Sequence, residues 1–119
     1  MRRIIYLLAS LMLCTGLFAQ ETMRIGIIGL DTSHSTAFTK LINGGAEASA
    51  EGFKVVAASP YGSQTIKSSY ERIPKYTDEV KTYGVEIVSS IAELLDKVDC
   101  VFLETKDGRL HLEQAVEVF

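Results

Sequence analysis

The feature that most constrains the fold is a short apolar run, residues 24–29, that ends in glycine and passes at once into a helical pattern. A nearly continuous apolar run of this length is typical of a strand buried on both faces of a parallel sheet. Apolar residues then recur at helical spacing, namely Phe38, Leu41 and Ile42. We therefore expect a helix over residues 33–43, with Thr32 or Ser33 at its N-cap and the Asn-Gly-Gly sequence as its stop.

The alternation of strand and helix signals continues along the chain. After a loop at residues 46–52, a second apolar run covers residues 53–58 and ends at a turn that contains proline and glycine. Further strands are predicted over residues 85–88 and 98–104. Units in this order predict an α/β fold with a doubly wound parallel sheet, in which ligands bind beyond the carboxyl ends of the strands.

The later helices differ in how clearly the sequence marks them. The capping box at residues 90–93 predicts a helix that runs to about Lys97. Asp107 can cap a last helix. The apolar stripe of that helix has four members: Leu112, Ala115, Val116 and Phe119. Residues 63–75 are polar and irregular, and Thr77 is expected to cap a short helix after them.

The first 19 residues have the parts of a secretory signal. Two arginines follow Met1, an apolar run covers residues 4–18, and Ala19 offers a small residue for cleavage. The run falls short of the roughly 20 apolar residues that a membrane span needs. We therefore expect residues 1–19 to be a signal peptide and the mature protein to be exported, periplasmic or secreted, with no stable membrane anchor. A retained anchor, a lipoprotein signal at Cys14 and twin-arginine export are the alternatives.

Length and charge balance restrict the class of protein. A chain of 119 residues is at most one domain, which residues 23–119 would form. The last helical pattern meets the end of the sequence without a stop signal, so we expect a truncated domain, incomplete at its C-terminus. With 15 acidic residues against 12 basic ones, the chain is not expected to bind nucleic acid. Cys100, the one cysteine after the signal, is predicted to be a buried strand residue.

The turn after the first strand keeps one glycine of a dinucleotide-binding fingerprint. That fingerprint, Gly-x-Gly-x-x-Gly, lets backbone N–H groups approach a pyrophosphate at the helix N-terminus. Gly29 is present, whereas Asp31 and His34 stand at the other two glycine positions. A carboxylate there can satisfy the N–H groups that a phosphate would use, and it repels a phosphate. Helix capping by Asp31, Thr32 and Ser33 therefore stays open beside cofactor binding.

The end of the second strand is the next place where dinucleotide binding predicts a particular residue type. An acid there commonly binds the ribose hydroxyls, and the residues from Ser59 to Tyr61 include none. Ser59, with Ser63, Thr65 and Lys67 after it, could instead bind a ribose phosphate. This favours NADP over NAD if a dinucleotide binds, and a solvated turn is the alternative.

His34 and His111 are the two histidines of the chain, and both follow predicted strands. We expect them at the carboxyl edge of the sheet, where they could approach each other as proton donors or ligands. The alternative for each is a side chain at a helix start that hydrogen-bonds nearby backbone. With no cysteine or carboxylate cluster at ligand spacing, we predict no metal site.

Several segments, taken in order, resemble the N-terminal half of the Gfo/Idh/MocA oxidoreductases. They are residues 23–29, 53–58, 90–95, 98–105 and 111–115. The resemblance implies a Rossmann NAD(P)-binding domain, with the family's C-terminal substrate domain absent from this chain. It also implies hydride transfer at a CH–OH group of a sugar- or polyol-like small molecule, and a homo-oligomer formed through the C-terminal domain.

The resemblance also implies roles for particular residues. The phosphate turn would be Gly29, Leu30, Asp31, Thr32, Ser33 and His34. Ser59 would lie beside the adenosine ribose, and Glu104, Thr105 and His111 would lie near the nicotinamide. The family's candidate catalytic lysine belongs to the next strand, which this sequence does not include, so we assign no catalytic residue. The alternatives are a non-catalytic carbohydrate-binding or scaffold protein that has lost dinucleotide binding, and an unrelated exported α/β ligand-binding module.

Overall fold

In the computed structural model, which describes residues 20–45 and 51–119, strands and helices alternate along the chain. The strands are β1 (Met23–Ile28), β2 (Phe53–Ser59), β3 (Glu86–Ile87) and β4 (Cys100–Leu103). The helices are α1 (Ser33–Gly44), α2 (Lys67–Tyr70), α3 (Ile73–Lys81), α4 (Ile91–Leu95) and α5 (Gly108–Val118). The predicted signal peptide and most of the predicted loop at residues 46–52 lie outside the described residues.

The strands form one sheet in the order β3-β2-β1-β4, and every neighbouring pair is parallel. The predicted α/β fold with a parallel sheet is thereby confirmed. β1 is a central strand, since it pairs with β2 on one side and with β4 on the other. Its pairing with β2 shifts by one residue between Ile25 and Gly26, which leaves Val56 as an extra residue in β2.

The core has two parts, one on each face of the sheet, because successive strand residues point to opposite faces. Ile25 and Ile27 pack in one cluster with Val80 of α3, and Cys100 contacts that cluster as a partly buried residue. Ile28 packs on the other face with Leu94 of α4. A Cβ added to Gly26 would lie 3.0 Å from the Leu94 side chain, so the glycine lets α4 pack closely against β1.

The apolar stripe predicted for α1 is only partly buried, since Ile42 packs against the core and Phe38 contacts Phe102. In α1, Leu41 is 66% exposed, whereas Ser35 and Thr39 are fully buried. The hydroxyls of these two residues donate to carbonyl oxygens of the preceding turn, Thr32 O and Ser35 O, both at 2.7 Å. Small side chains with satisfied hydroxyls therefore form part of the packing face of α1.

The apolar stripe of α5 is largely exposed. Leu112 is 76% exposed and Val116 and Phe119 are exposed as well. Gln114 is buried instead, because its Oε1 accepts a hydrogen bond of 2.7 Å from the Thr105 hydroxyl at the end of β4. The apolar spacing thus predicted the helix correctly, although three of the four stripe residues are exposed.

The middle of the chain is more regular than predicted. Residues 63–75, expected to be irregular, contain α2 and the start of α3. Pro74 lies in the first turn of α3, where its fixed φ favours helix and its missing N–H is not needed. Thr77 lies inside α3, so the prediction that it caps the helix is wrong, and its buried hydroxyl has no hydrogen-bond partner among the described residues.

The two other predicted caps are confirmed. Ser90 Oγ accepts a hydrogen bond of 3.1 Å from Glu93 N at the start of α4. Asp107 Oδ1 accepts one of 3.1 Å from Arg109 N at the start of α5. Each cap satisfies an N–H group that the first helical turn leaves without a partner.

Candidate functional site

The predicted site residues meet at the carboxyl edge of the sheet, where the turn after β1 contacts the turn after β4. Gly29 has a φ of +90°, a conformation that favours glycine. A Cβ at this position would lie 2.5 Å from Thr105 Oγ1 and 2.7 Å from Thr105 N. Gly29 is therefore required by the close approach of the two turns as well as by its backbone conformation.

Asp31 is fully buried at this edge, and its carboxylate accepts three hydrogen bonds from two other segments of the chain. Asp31 Oδ2 accepts from the Ser69 hydroxyl at 2.8 Å and from Ser63 N at 3.3 Å. Asp31 Oδ1 accepts from Lys106 N at 3.0 Å. The carboxylate thus joins the turn after β1 to the segments after β2 and β4.

These contacts correct one prediction about Asp31. The first turn of α1 has no side-chain cap, so the Asp31 carboxylate does not satisfy the N–H groups of the helix. Thr32 is the N-cap by backbone position, as predicted, but its hydroxyl donates to Glu104 O at 3.3 Å instead. Ser33 and His34 are exposed, so the positive end of α1 remains accessible to an anion.

A second buried carboxylate, Asp107, lies beside the first. Its Oδ2 accepts from the Ser63 hydroxyl at 3.0 Å and from Arg109 Nη2 at 2.7 Å. The hydrogen bonds from Arg109 hold the pKa of Asp107 well below its usual range. Ser63 therefore joins both carboxylates, through its N–H to Asp31 and its hydroxyl to Asp107. Sequence reasoning missed this network, since it treated Asp107 only as a helix cap.

The two histidines contact consecutive residues of the segment after β4. His34 Nδ1 lies 3.6 Å from Glu104 Oε2, and the His34 side chain is largely exposed. His111 Nε2 hydrogen-bonds Thr105 O. The structure therefore places these four predicted residues at the carboxyl edge in two separate pairs, with no contact between the two histidines among the described residues. The backbone contact expected as the alternative is present at His111. Among the described residues, no group of histidine, cysteine or carboxylate side chains could hold a metal ion.

A cavity of about 270 Å³ opens beside Ser59, between the ends of β2 and β3 on one side and α5 on the other. Its lining consists of Ser59, Tyr61, Ser89, Ser90, Ile91, Leu110, Glu113, Gln114 and Glu117. Ser59 is only 3% exposed, yet its hydroxyl has no hydrogen-bond partner in the described part of the chain. The Ser59 hydroxyl is not fully enclosed, so the cavity offers a ligand a polar group in its wall that has no protein partner among the described residues.

The other three residues predicted to bind a ribose phosphate have partners elsewhere. The Ser63 hydroxyl donates to Asp107, and Thr65 Oγ1 accepts from Arg109 Nη2 at 2.9 Å. Lys67 Nζ pairs with Glu71 at 3.7 Å. Of the four, Ser59 alone lines the cavity.

Comparison with protein-family models, with curated proteins and with solved structures found no match. Within residues 20–45 and 51–119, no helix is both long and apolar enough to cross a membrane. The thiol of Cys100 has its pKa raised by burial, which is unfavourable for a nucleophile.

Proposed function

We propose that this chain is the NAD(P)-binding Rossmann domain of an exported oxidoreductase of the Gfo/Idh/MocA type, which transfers hydride at a CH–OH group of a sugar- or polyol-like substrate. The observation that carries the proposal is the parallel strand order β3-β2-β1-β4. In this order α1, which follows β1, packs on one face of the sheet. α5, which follows β4, packs on the other face. Dinucleotides bind at such a reversal of strand order, beyond the carboxyl ends of the strands.

The open start of α1 fits the pyrophosphate. The helix has no side-chain cap, and both Ser33 and His34 are exposed there. Backbone N–H groups and the helix dipole at such an end favour a bound anion. Because the Asp31 carboxylate is held by Ser63, Ser69 and Lys106, it does not use these N–H groups.

The cavity beside Ser59 fits the adenosine part. Ile91 and Leu110 supply apolar walls for a purine ring, and the free Ser59 hydroxyl can bond the ribose. The nicotinamide, which supplies the hydride chemistry when the cofactor is bound, would then extend toward Glu104, Thr105 and His111. In this arrangement Thr105 O orients the His111 ring, and these residues position the ring of the cofactor rather than react with it.

Native mass spectrometry of the natural-length protein from its host tests the proposal. We expect a mass increment that matches NAD or NADP and that disappears on denaturation, because an exported enzyme has to retain its cofactor. Cofactor-free protein that also fails to bind added dinucleotide would refute the proposal.

A pair of variants tests the phosphate turn separately. Ser33→Asp adds a like charge at the start of α1 and should weaken dinucleotide binding by about tenfold or more. Ala37→Asp adds the same charge on the exposed surface one turn later and should have little effect. Equal effects of the two substitutions would contradict binding at the start of α1.

The buried Asp31 favours a second function, a non-catalytic carbohydrate-binding or scaffold protein that has lost dinucleotide binding. Asp31 occupies the position of the second fingerprint glycine, and its three hydrogen bonds join the turn after β1 to the segments after β2 and β4. Under this alternative the purified protein carries no dinucleotide and binds a neutral sugar instead. Calorimetry with both ligand classes distinguishes the two functions.

A further inference from the structure

The cavity beside Ser59 has a polar side that the protein does not satisfy. The Ser59 hydroxyl is free among the described residues although Ser59 is buried. Gln114 is also buried, and the Thr105 hydroxyl holds its Oε1 at 2.7 Å. Gln114 lines the cavity, and its Nε2 has no acceptor in the described part of the chain. Neither atom is fully enclosed, and both residues line the cavity, so these two polar groups can hydrogen-bond a ligand that bears hydroxyls.

Carboxylates form the outer wall of the same cavity. Leu110, Glu113, Gln114 and Glu117 recur at helical spacing, so they share one face of α5. Neither Glu113 nor Glu117 has an ion pair or hydrogen bond within the described residues. Two uncompensated negative charges at one wall attract hydroxyl donors and repel a phosphate.

Two cations of the segments after β2 and β4 are already paired. Lys67 lies 3.7 Å from Glu71, and Arg109 Nη2 lies 2.7 Å from Asp107 Oδ2. No lysine, arginine or histidine is among the residues that line the cavity. A ribose 2′-phosphate would therefore meet carboxylates here without a cation to neutralise it.

We propose that Glu113 and Glu117 determine the cofactor, by accepting hydrogen bonds from the free ribose hydroxyls of NAD and excluding the 2′-phosphate of NADP. This inference rests on the proposed function and names the cofactor for it. It places on α5 the acid that is missing at the end of β2. Ser59, at the end of β2, donates or accepts the remaining ribose hydrogen bond.

Calorimetric titration of the natural-length protein with NAD and with NADP tests this assignment. We expect the wild type to bind NAD at least about tenfold more tightly than NADP. NAD gains a charge-assisted hydrogen bond from its ribose hydroxyl to a carboxylate, whereas the 2′-phosphate of NADP is repelled by the same carboxylates. Glu113→Gln combined with Glu117→Gln should reduce that preference by about tenfold or more. Both residues are exposed, so the variant should keep the wild-type fold, which circular dichroism checks.

A matched control removes the same charge elsewhere. Glu21→Gln combined with Glu51→Gln changes two exposed carboxylates outside the cavity lining, and should leave the preference unchanged. The assignment to α5 is overturned if the wild type binds NADP as tightly as NAD, or if the cavity variant keeps the wild-type preference. It is also overturned if the control lowers the preference equally. Failure to bind either dinucleotide overturns the proposed function, and the inference with it.

Discussion

Replacing Asp31 tests whether one buried carboxylate holds the carboxyl edge of the sheet together. Asp31→Ala removes the acceptor for Ser63 N, Lys106 N and the Ser69 hydroxyl. The hydroxyl can rotate to another partner, but the two backbone N–H groups cannot. Each buried donor left without a partner costs about 1–3 kcal/mol, so we expect a loss of roughly 3–5 kcal/mol in the free energy of unfolding.

Asp31→Asn separates the lost hydrogen bonds from the lost volume. Its amide oxygen can replace Oδ2 and keep the bonds from Ser63 and Ser69. Its NH₂ group then faces Lys106 N, so one hydrogen bond is replaced by two opposed donors. We expect a loss of about 1–3 kcal/mol, smaller than that of the alanine variant.

Urea unfolding followed by circular dichroism measures both losses. Asp78→Ala is the matched control, because Asp78 is exposed and its pair with Lys81 is a surface contact of 3.8 Å. That control should change the free energy of unfolding by less than about 0.5 kcal/mol. An Asp31→Ala variant within about 1 kcal/mol of the wild type would refute the structural role derived for this carboxylate.

Three further predictions follow from single contacts. Hydrogen bonds from Arg24 lower the pKa of Asp99 to about 2, so this pair stabilises the fold above the ordinary value of 3.8 and ceases to do so as the pH falls through about 2. Arg24→Ala should raise the pKa of Asp99 in an NMR titration, and an unchanged pKa would contradict the assignment. Gly29→Ala should destabilise the fold by roughly 2–4 kcal/mol, because of its positive φ and the overlap with Thr105. A wild-type melting temperature would argue against that overlap. Ser90→Ala should lose about 1 kcal/mol in urea unfolding, whereas an unaffected midpoint would show that the cap is unimportant.

Local signals were sufficient for the elements themselves. The sequence correctly predicted three local features: the strand β1, the capping box at Ser90 and the cap at Asp107. Each of them depends on residues within a few positions of one another. The prediction for the middle of the chain was less accurate. There the helix start at Pro74 was a local signal that the polar composition obscured.

The candidate site was predictable only in part. The order of the elements places Gly29, Glu104, Thr105 and both histidines at the carboxyl edge, as expected. The cavity was not predictable, because its two walls come from segments far apart in sequence. Ser59 could be singled out from its place after β2, but nothing in the sequence joined it to Glu113 and Glu117.

The sequence by itself determined most of the strands and helices and the parallel sheet, since periodicity and caps act over short distances. Only the tertiary structure decided which helix faces are buried and what Asp31 binds. Its partners lie 32, 38 and 75 residues away along the chain. A buried carboxylate accepts hydrogen bonds from the donors that the fold brings within reach. Tertiary packing therefore determines its partners, and residues close in sequence do not.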